Sequence, residues 1–179
     1  GYCVASDEIA FRLREALPEV RVQVTGIPVM PVFATRAPRA ECARELGLQP
    51  DRLTAMVMTG GAGLASAGAM VARLLRLPGE LQVVTLAGRT APLLARSEAL
   101  AREHKGRMVA LGFTKTIERV MAASDLCITK PGGLSTSECL AMGLPMLLIS
   151  PIPGQEERNA QYLLEQGAAW LAMDELALA

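Results

Sequence analysis

A chain of 179 residues with 51% apolar and 20% charged side chains can bury a full core, which excludes a disordered polymer. Lys and Arg number 18 and Asp and Glu 18, so zero net charge gives no bulk attraction to nucleic acid or an anionic membrane. No apolar run approaches the roughly 20 residues of a membrane-spanning helix.

The first residues, Tyr2-Cys3-Val4-Ala5, already form an apolar run, and no initiating Met precedes them. A fragment of a longer protein is expected. A strand is predicted over 2–5, a helix over 6–16 capped by Ser6 or Asp7, and a strand over 20–25. Pro28, Pro31 and Pro38 then stiffen an extended stretch, read as an interdomain linker over 27–38. The expected division is 1–26 as the tail of one domain and 39–179 as a second.

Beyond the linker a helix is predicted over 39–46, followed by strands over 53–59, 81–86, 108–111, 125–129, 146–149 and 168–172. Most are continuous apolar runs, as in parallel strands covered on both faces. Helices are expected over 62–75, 92–103, 116–123, 136–142 and 155–166. The alternation predicts an α/β fold, a Rossmann-like, doubly wound parallel sheet with right-handed crossovers. Ligands of such sheets bind beyond the carboxyl ends of the strands.

The four cysteines, Cys3, Cys42, Cys127 and Cys139, form no C-x-x-C pair, and His104 is the only histidine. No metal site and no cofactor are expected. Buried thiols in a reducing, cytoplasmic compartment are the expectation.

Chemistry concentrates in four loops. The first runs Thr59-Gly60-Gly61-Ala62-Gly63-Leu64-Ala65-Ser66-Ala67-Gly68. Gly60, Gly61 and Gly63 let backbone N–H groups approach a phosphate, or else make a tight turn with close helix packing. Ser66 replaces the third glycine of a dinucleotide fingerprint, and no acid follows Leu86, so NAD is disfavoured. The absence of G-K-S/T excludes a P-loop.

The second loop holds Gly112, Phe113 and Thr114. Phe113 can stack on a base whose edge the Thr114 backbone reads, or it can be a core residue. The third holds Gly132, Gly133, Leu134, Ser135, Thr136 and Glu138. Here a helix start can face a diphosphate, Ser135 and Thr136 can donate to it, and first-turn Glu138 can accept from ribose hydroxyls. The competing reading is an S-x-x-E capping box from Ser135 to Glu138, stapled by Leu134 and Cys139. The fourth holds Gln155, Glu156 and Asn159, which share one side of a helix start and suit vicinal sugar hydroxyls, or form a solvated helix end.

The run from Lys130-Pro131-Gly132-Gly133 through Glu138, Gly143-Leu144-Pro145 and Pro151-Ile152-Pro153-Gly154-Gln155-Glu156 resembles the C-terminal domain of glycosyltransferase family 28. Its P-G-Q-E segment is most similar to the monogalactosyldiacylglycerol synthase and diacylglycerol glucosyltransferase branch. The resemblance implies half of a GT-B fold, with residues 1–26 ending an N-terminal acceptor domain and 39–179 binding a UDP-hexose. It implies a uracil contact at Phe113 and Thr114, ribose at Glu138, diphosphate from Gly133 to Thr136, and donor sugar near Gln155, Glu156 and Asn159. The loop 60–68 matches loosely, with small apolar residues where relatives carry polar ones.

The activity implied is inverting hexosyl transfer to a membrane lipid such as diacylglycerol, or to a lipid-linked glycan precursor. The protein would be peripheral on the cytoplasmic membrane face when full length. No nucleic-acid partner is implied, and no D-x-D run offers metal ligands for the donor. The general base would lie in the acceptor domain, leaving this fragment inactive alone. The alternatives are a non-catalytic nucleotide-binding module and a GT-B type UDP-sugar epimerase.

Overall fold

The computed structural model describes residues 1–58 and 67–172. The chain divides into two compact units, Gly1–Met30 and Pro31–Ala179.

The first unit is a single βαβ turn. Strand β1 (Tyr2–Val4) pairs in parallel with β2 (Val22–Val24), and helix α1 (Asp7–Ala16) crosses between them. The Ser6 hydroxyl accepts from the Ile9 N–H at 3.4 Å, the N-cap expected of Ser before an acidic first turn.

The second unit starts inside the expected linker. Residues Pro31–Ala34 wind into a short 3-10 turn, and Phe33 within it is only 1% exposed. The prolines do stiffen this stretch, but an aromatic ring among them gives the turn a core to join. Helix α2 (Arg39–Glu45) follows, then β3 (Thr54–Met58), α3 (Ala67–Arg76), β4 (Gln82–Leu86), α4 (Ala91–Glu103), β5 (Met108–Leu111), α5 (Ile117–Ala123), β6 (Leu126–Thr129), α6 (Gly133–Ala141), β7 (Met146–Ile149), α7 (Gln155–Glu165) and β8 (Ala169–Ala172). These strands form a 6-stranded sheet in the order β5-β4-β3-β6-β7-β8, parallel throughout. The order reverses direction between β3 and β6, which makes that crevice the topological switch point.

The apolar runs become strands because they are covered on both faces. All five residues of β3 are buried, and Val57, Val83, Ile128 and Ile149 join one core with Val71 and Leu75 of α3. Each such side chain contributes about 1.5–3 kcal/mol when fully buried.

Two polar nodes lock the end of the sheet opposite the loops of interest. The Gln82 side chain, 0% exposed, accepts from the Gln49 N–H at 2.8 Å and donates to the Gln49 carbonyl at 2.9 Å. Asp125 Oδ2 accepts from the Thr54 N–H at 2.8 Å and from Arg39 at 2.7 Å.

Cys42, Cys127 and Cys139 are buried and all four cysteines are free. Hydrogen bonding to Cys139, together with burial, pushes the pKa of Cys127 well up, so Cys127 is neutral packing within β6.

Candidate functional site

Parallel strands place every following loop at one edge of the sheet. Residues 87–90 follow β4, 112–116 follow β5, 130–132 follow β6 and 150–154 follow β7. Gly60, Gly61 and Gly63 lie outside the described residues, so the first expected loop receives no structural account.

The loop after β6 opens on a tight turn, in which the Gly132 N–H donates to the Lys130 carbonyl at 2.8 Å across Pro131. Helix α6 then starts at Gly133 with Gly132 as N-cap and no side-chain cap. This overturns the capping box. Ser135 is the third helical residue instead of the cap, and Glu138 is the sixth, in the second turn instead of the first. The staple fails for the same reason, since Leu134 is 64% exposed while Cys139 is fully buried. Glycine at 132 and 133 carries no side chain to compete for the first-turn amides, so the helix begins two residues before Ser135. The N–H groups of Gly133, Leu134 and Ser135 have no intrahelical acceptor, and the first backbone bond is Thr136 N–H to the Gly132 carbonyl at 3.1 Å.

Around this open helix end the side chains divide. The Thr136 hydroxyl, 4% exposed in its residue, donates to the Gly132 carbonyl at 2.9 Å. Its one proton is committed to the helix and is not available to a phosphate. Ser135 is half-buried with its hydroxyl unpartnered among the described residues. Glu138 is also half-buried and its carboxylate has no hydrogen bond or ion pair among the described residues. Burial raises its pKa above the ordinary carboxylate value. A half-buried carboxylate with all its lone pairs free is poised to accept from hydroxyl groups.

The start of α7 is organised differently from expectation. Glu157 Oε2 accepts from the Gly154 N–H at 2.9 Å, and Glu156 Oε2 accepts from the Ile152 N–H at 2.8 Å. One Glu156 oxygen therefore holds the loop 150–154, and the other stays open. That loop starts at Ser150, whose φ of 44° is the left-handed backbone that non-glycine residues rarely adopt. Asn159 reaches across: its Nδ2 donates to the Pro131 carbonyl at 2.9 Å. It ties α7 to the turn that opens α6 and leaves its Oδ1 without a partner among the described residues. Gln155 is exposed and unpartnered among the described residues.

On the far side of the switch point, Phe113 is 59% exposed immediately after β5, so the core reading of this residue fails. The Thr114 hydroxyl accepts from the Thr116 N–H at 3.1 Å and helps start α5, leaving the Thr114 backbone without a hydrogen-bond partner among the described residues. Gly112 is packed: a Cβ there would lie 3.3 Å from Leu94 Cδ2 and 3.6 Å from the Gly88 carbonyl. A glycine here lets the two loops approach closely. The reasoning from sequence passed over Arg89, whose guanidinium carbon lies 4.7 Å from the Phe113 ring centroid. Its only signal in the sequence is a lone cation after the glycine in the loop that follows β4. From β5 to β6 is three strand spacings, about 14 Å along the edge, the scale of an extended nucleoside diphosphate.

His104 caps the carboxyl end of α4, at the opposite edge of the sheet from these loops. Among the described residues no group of three or more His, Cys, Asp or Glu could hold a metal ion.

A family model described as the glycosyltransferase family 28 C-terminal domain matches residues 54–177. The processive diacylglycerol beta-glucosyltransferase of Bacillus pumilus is 33% identical over 94% of this chain and 44% of its own length. The Bacillus subtilis protein of the same name is 31% identical, with the same shares covered. The chain thus spans less than half the length of these curated relatives. Among solved structures, HepE of Anabaena in complex with UDP and glucose is similar at TM-score 0.60 and 16% identity, over 97% of this chain and 49% of that one. MurG of Acinetobacter baumannii is similar at TM-score 0.58 and 18% identity, over 87% of this chain and 46% of that one.

Proposed function

This chain belongs to glycosyltransferase family 28, and on that footing we propose that it binds the UDP-hexose donor of a lipid hexosyltransferase. The observation that carries the reading is the opening of α6. Three amides without intrahelical acceptors open the helix, and its second turn carries an unpartnered, half-buried Glu138 carboxylate. Amides at a helix start favour a diphosphate, and the carboxylate favours a pair of hydroxyls.

The base lies at Phe113 with the Thr114 backbone reading its edge, and the ribose sits at Glu138. The diphosphate meets the amides of Gly133, Leu134 and Ser135. The sugar lies against Gln155 and the open oxygen of Glu156. The glycine loop at 60–63 completes the phosphate side. When the glycosidic bond breaks, negative charge grows on the leaving UDP. The fixed amides and dipole of α6 stabilise that charge without reorganising.

The acceptor is diacylglycerol or its glycosylated product, by analogy with the named function of the Bacillus relatives. The first unit, Gly1–Met30, is read as the end of the acceptor domain. The base that activates the acceptor lies in the part of the relatives' length that this chain does not span. His104, at the wrong edge of the sheet, supports that placement. Among the described residues no helix is long and apolar enough to cross a membrane. Attachment of the full-length protein to the cytoplasmic membrane face is part of the proposal.

Isothermal titration with UDP, UDP-glucose, UDP-galactose and ADP tests the reading. UDP and at least one UDP-hexose should bind, and ADP should bind at least about tenfold more weakly, a difference of roughly 1.4 kcal/mol. Binding of ADP equal to that of UDP, or no binding by any of the four, overturns it. A GT-B type epimerase would want acidic and histidine groups beside the sugar, and the chain's one histidine is remote from it.

A further inference from the structure

Arg89 and Phe113 meet across two loops that the backbone holds in register. β4 and β5 are paired neighbours, and the Ala87 N–H donates to the Leu111 carbonyl at 2.8 Å just before both loops begin. Gly88 turns the chain with a φ of 56°, and a side chain at 112 would meet Leu94 Cδ2 at 3.3 Å, with the Gly88 carbonyl next nearest at 3.6 Å, so the two loops run close together. The guanidinium therefore rests over the ring from a fixed base, within cation–π range. No carboxylate pairs with Arg89 among the described residues, so nothing else claims its charge.

We propose that Arg89 is a positioning residue for base recognition: it covers one face of Phe113 and fixes the ring, so that the other face is a preset stacking platform for a pyrimidine. This rests on the reading of Phe113 as the base contact. An exposed Phe on a loop would otherwise sample several rotamers and lose that freedom when a base stacks on it. Immobilising one such side chain weakens binding about three- to tenfold. A planar guanidinium is suited to the task, because it stacks flat on an aromatic face and an ammonium does not.

The experiment is a double-mutant cycle on UDP binding by the whole chain, with Arg89→Ala, Phe113→Ala and both together, each checked for an unchanged melting temperature. Arg89→Ala should weaken UDP about three- to tenfold, and Arg89→Lys should recover only part of the loss. In the Phe113→Ala background, Arg89→Ala should cause no further loss. The salt dependence of UDP binding should be the same with and without Arg89, because the residue acts through the ring. Additive losses, or a flatter salt dependence in Arg89→Ala, would mean a direct phosphate contact and overturn the proposal. Unchanged affinity in Arg89→Ala overturns it while leaving the base contact standing, provided Phe113→Ala weakens binding. If Phe113→Ala binds UDP as the parent does, the base contact falls and the positioning role falls with it.

Discussion

Glu138 carries opposing demands, and they can be separated. Its carboxylate is half-buried without a partner among the described residues, and burial raises its pKa. A raised folded-state pKa means the folded protein holds the proton more tightly than the unfolded chain. Stability then falls as pH rises from the unfolded carboxylate value, about 4.3, through the raised folded value, and stays lowered above it. Glu138→Gln should therefore raise the melting temperature at neutral pH and leave it unchanged well below pH 4 (roughly). The same change should weaken UDP, and Glu138→Ala should weaken it by at least about tenfold. UDP-glucose affinity should decline as pH falls through the raised Glu138 pKa, because the protonated acid loses acceptor sites. That decline should vanish in Glu138→Gln. A melting-temperature loss in Glu138→Ala with affinity intact would restore a purely structural role. Asn159 makes a complementary case, since its amide holds the Pro131 carbonyl. Asn159→Ala should cost about 1 kcal/mol of stability and weaken UDP and UDP-glucose by the same factor. A loss confined to UDP-glucose would mean that Asn159 touches the sugar after all.

At the scale of elements, the node at Asp125 fixes the register on which the site depends. Its Oδ2 accepts from the Thr54 N–H at the start of β3 and from Arg39 of α2. Thr54 is 1% exposed. Asp125→Ala strands that buried N–H and leaves the Arg39 guanidinium only its bond to the Arg52 carbonyl at 2.7 Å, and chemical denaturation should register a loss of about 1–3 kcal/mol. Asp125→Asn keeps one carbonyl acceptor and should lose less. This node also marks how far the sequence could be read. Strands 108–111 and 146–149 are legible to the residue because their apolar runs are bounded by Arg107 and Gly112 and by Pro145 and Ser150. The Rossmann-like doubly wound sheet is legible in the strand–helix alternation, its reading as half of a GT-B fold comes from the family resemblance, and the solved structures share the fold. The start of α6 was misplaced because Ser135 and Glu138 imitate a cap, while two cap-poor glycines actually begin the helix. The division of labour among Glu156, Glu157 and Asn159 was also hidden. All three are polar residues on one helix turn, and only three-dimensional proximity decides which backbone group each one meets. Phe113 was legible as an exposed aromatic past a strand, but its partner Arg89 comes from another loop 24 positions earlier, beyond any local pattern.

At the scale of the molecule, binding and turnover should come apart. The match takes in 94% of this chain but only 44% of the Bacillus relatives, and under the proposed function this chain supplies the donor side alone. The donor side is proposed as complete because every described loop assigned to UDP lies at one sheet edge. The acceptor side needs a group that takes a proton from a hydroxyl, positioned within about 3 Å of it. Among the residues placed at this edge, Glu138 is assigned to ribose, Glu157 is bound to the Gly154 N–H, and Glu156 is bound to the Ile152 N–H. Among the described residues at this edge that leaves Glu118, in the first turn of α5, and one Glu156 oxygen, and the proposed acceptor base lies in the part of the relatives' length that this chain does not span. The purified 179-residue chain should thus bind UDP-glucose in titration. It should release no glucose and form no glucosyl-diacylglycerol when mixed with diacylglycerol vesicles. Adding the remaining half of a full-length relative on the same polypeptide should restore transfer. Turnover by the chain alone would place the base within it, and Glu156, with one open oxygen, would be the first residue to substitute.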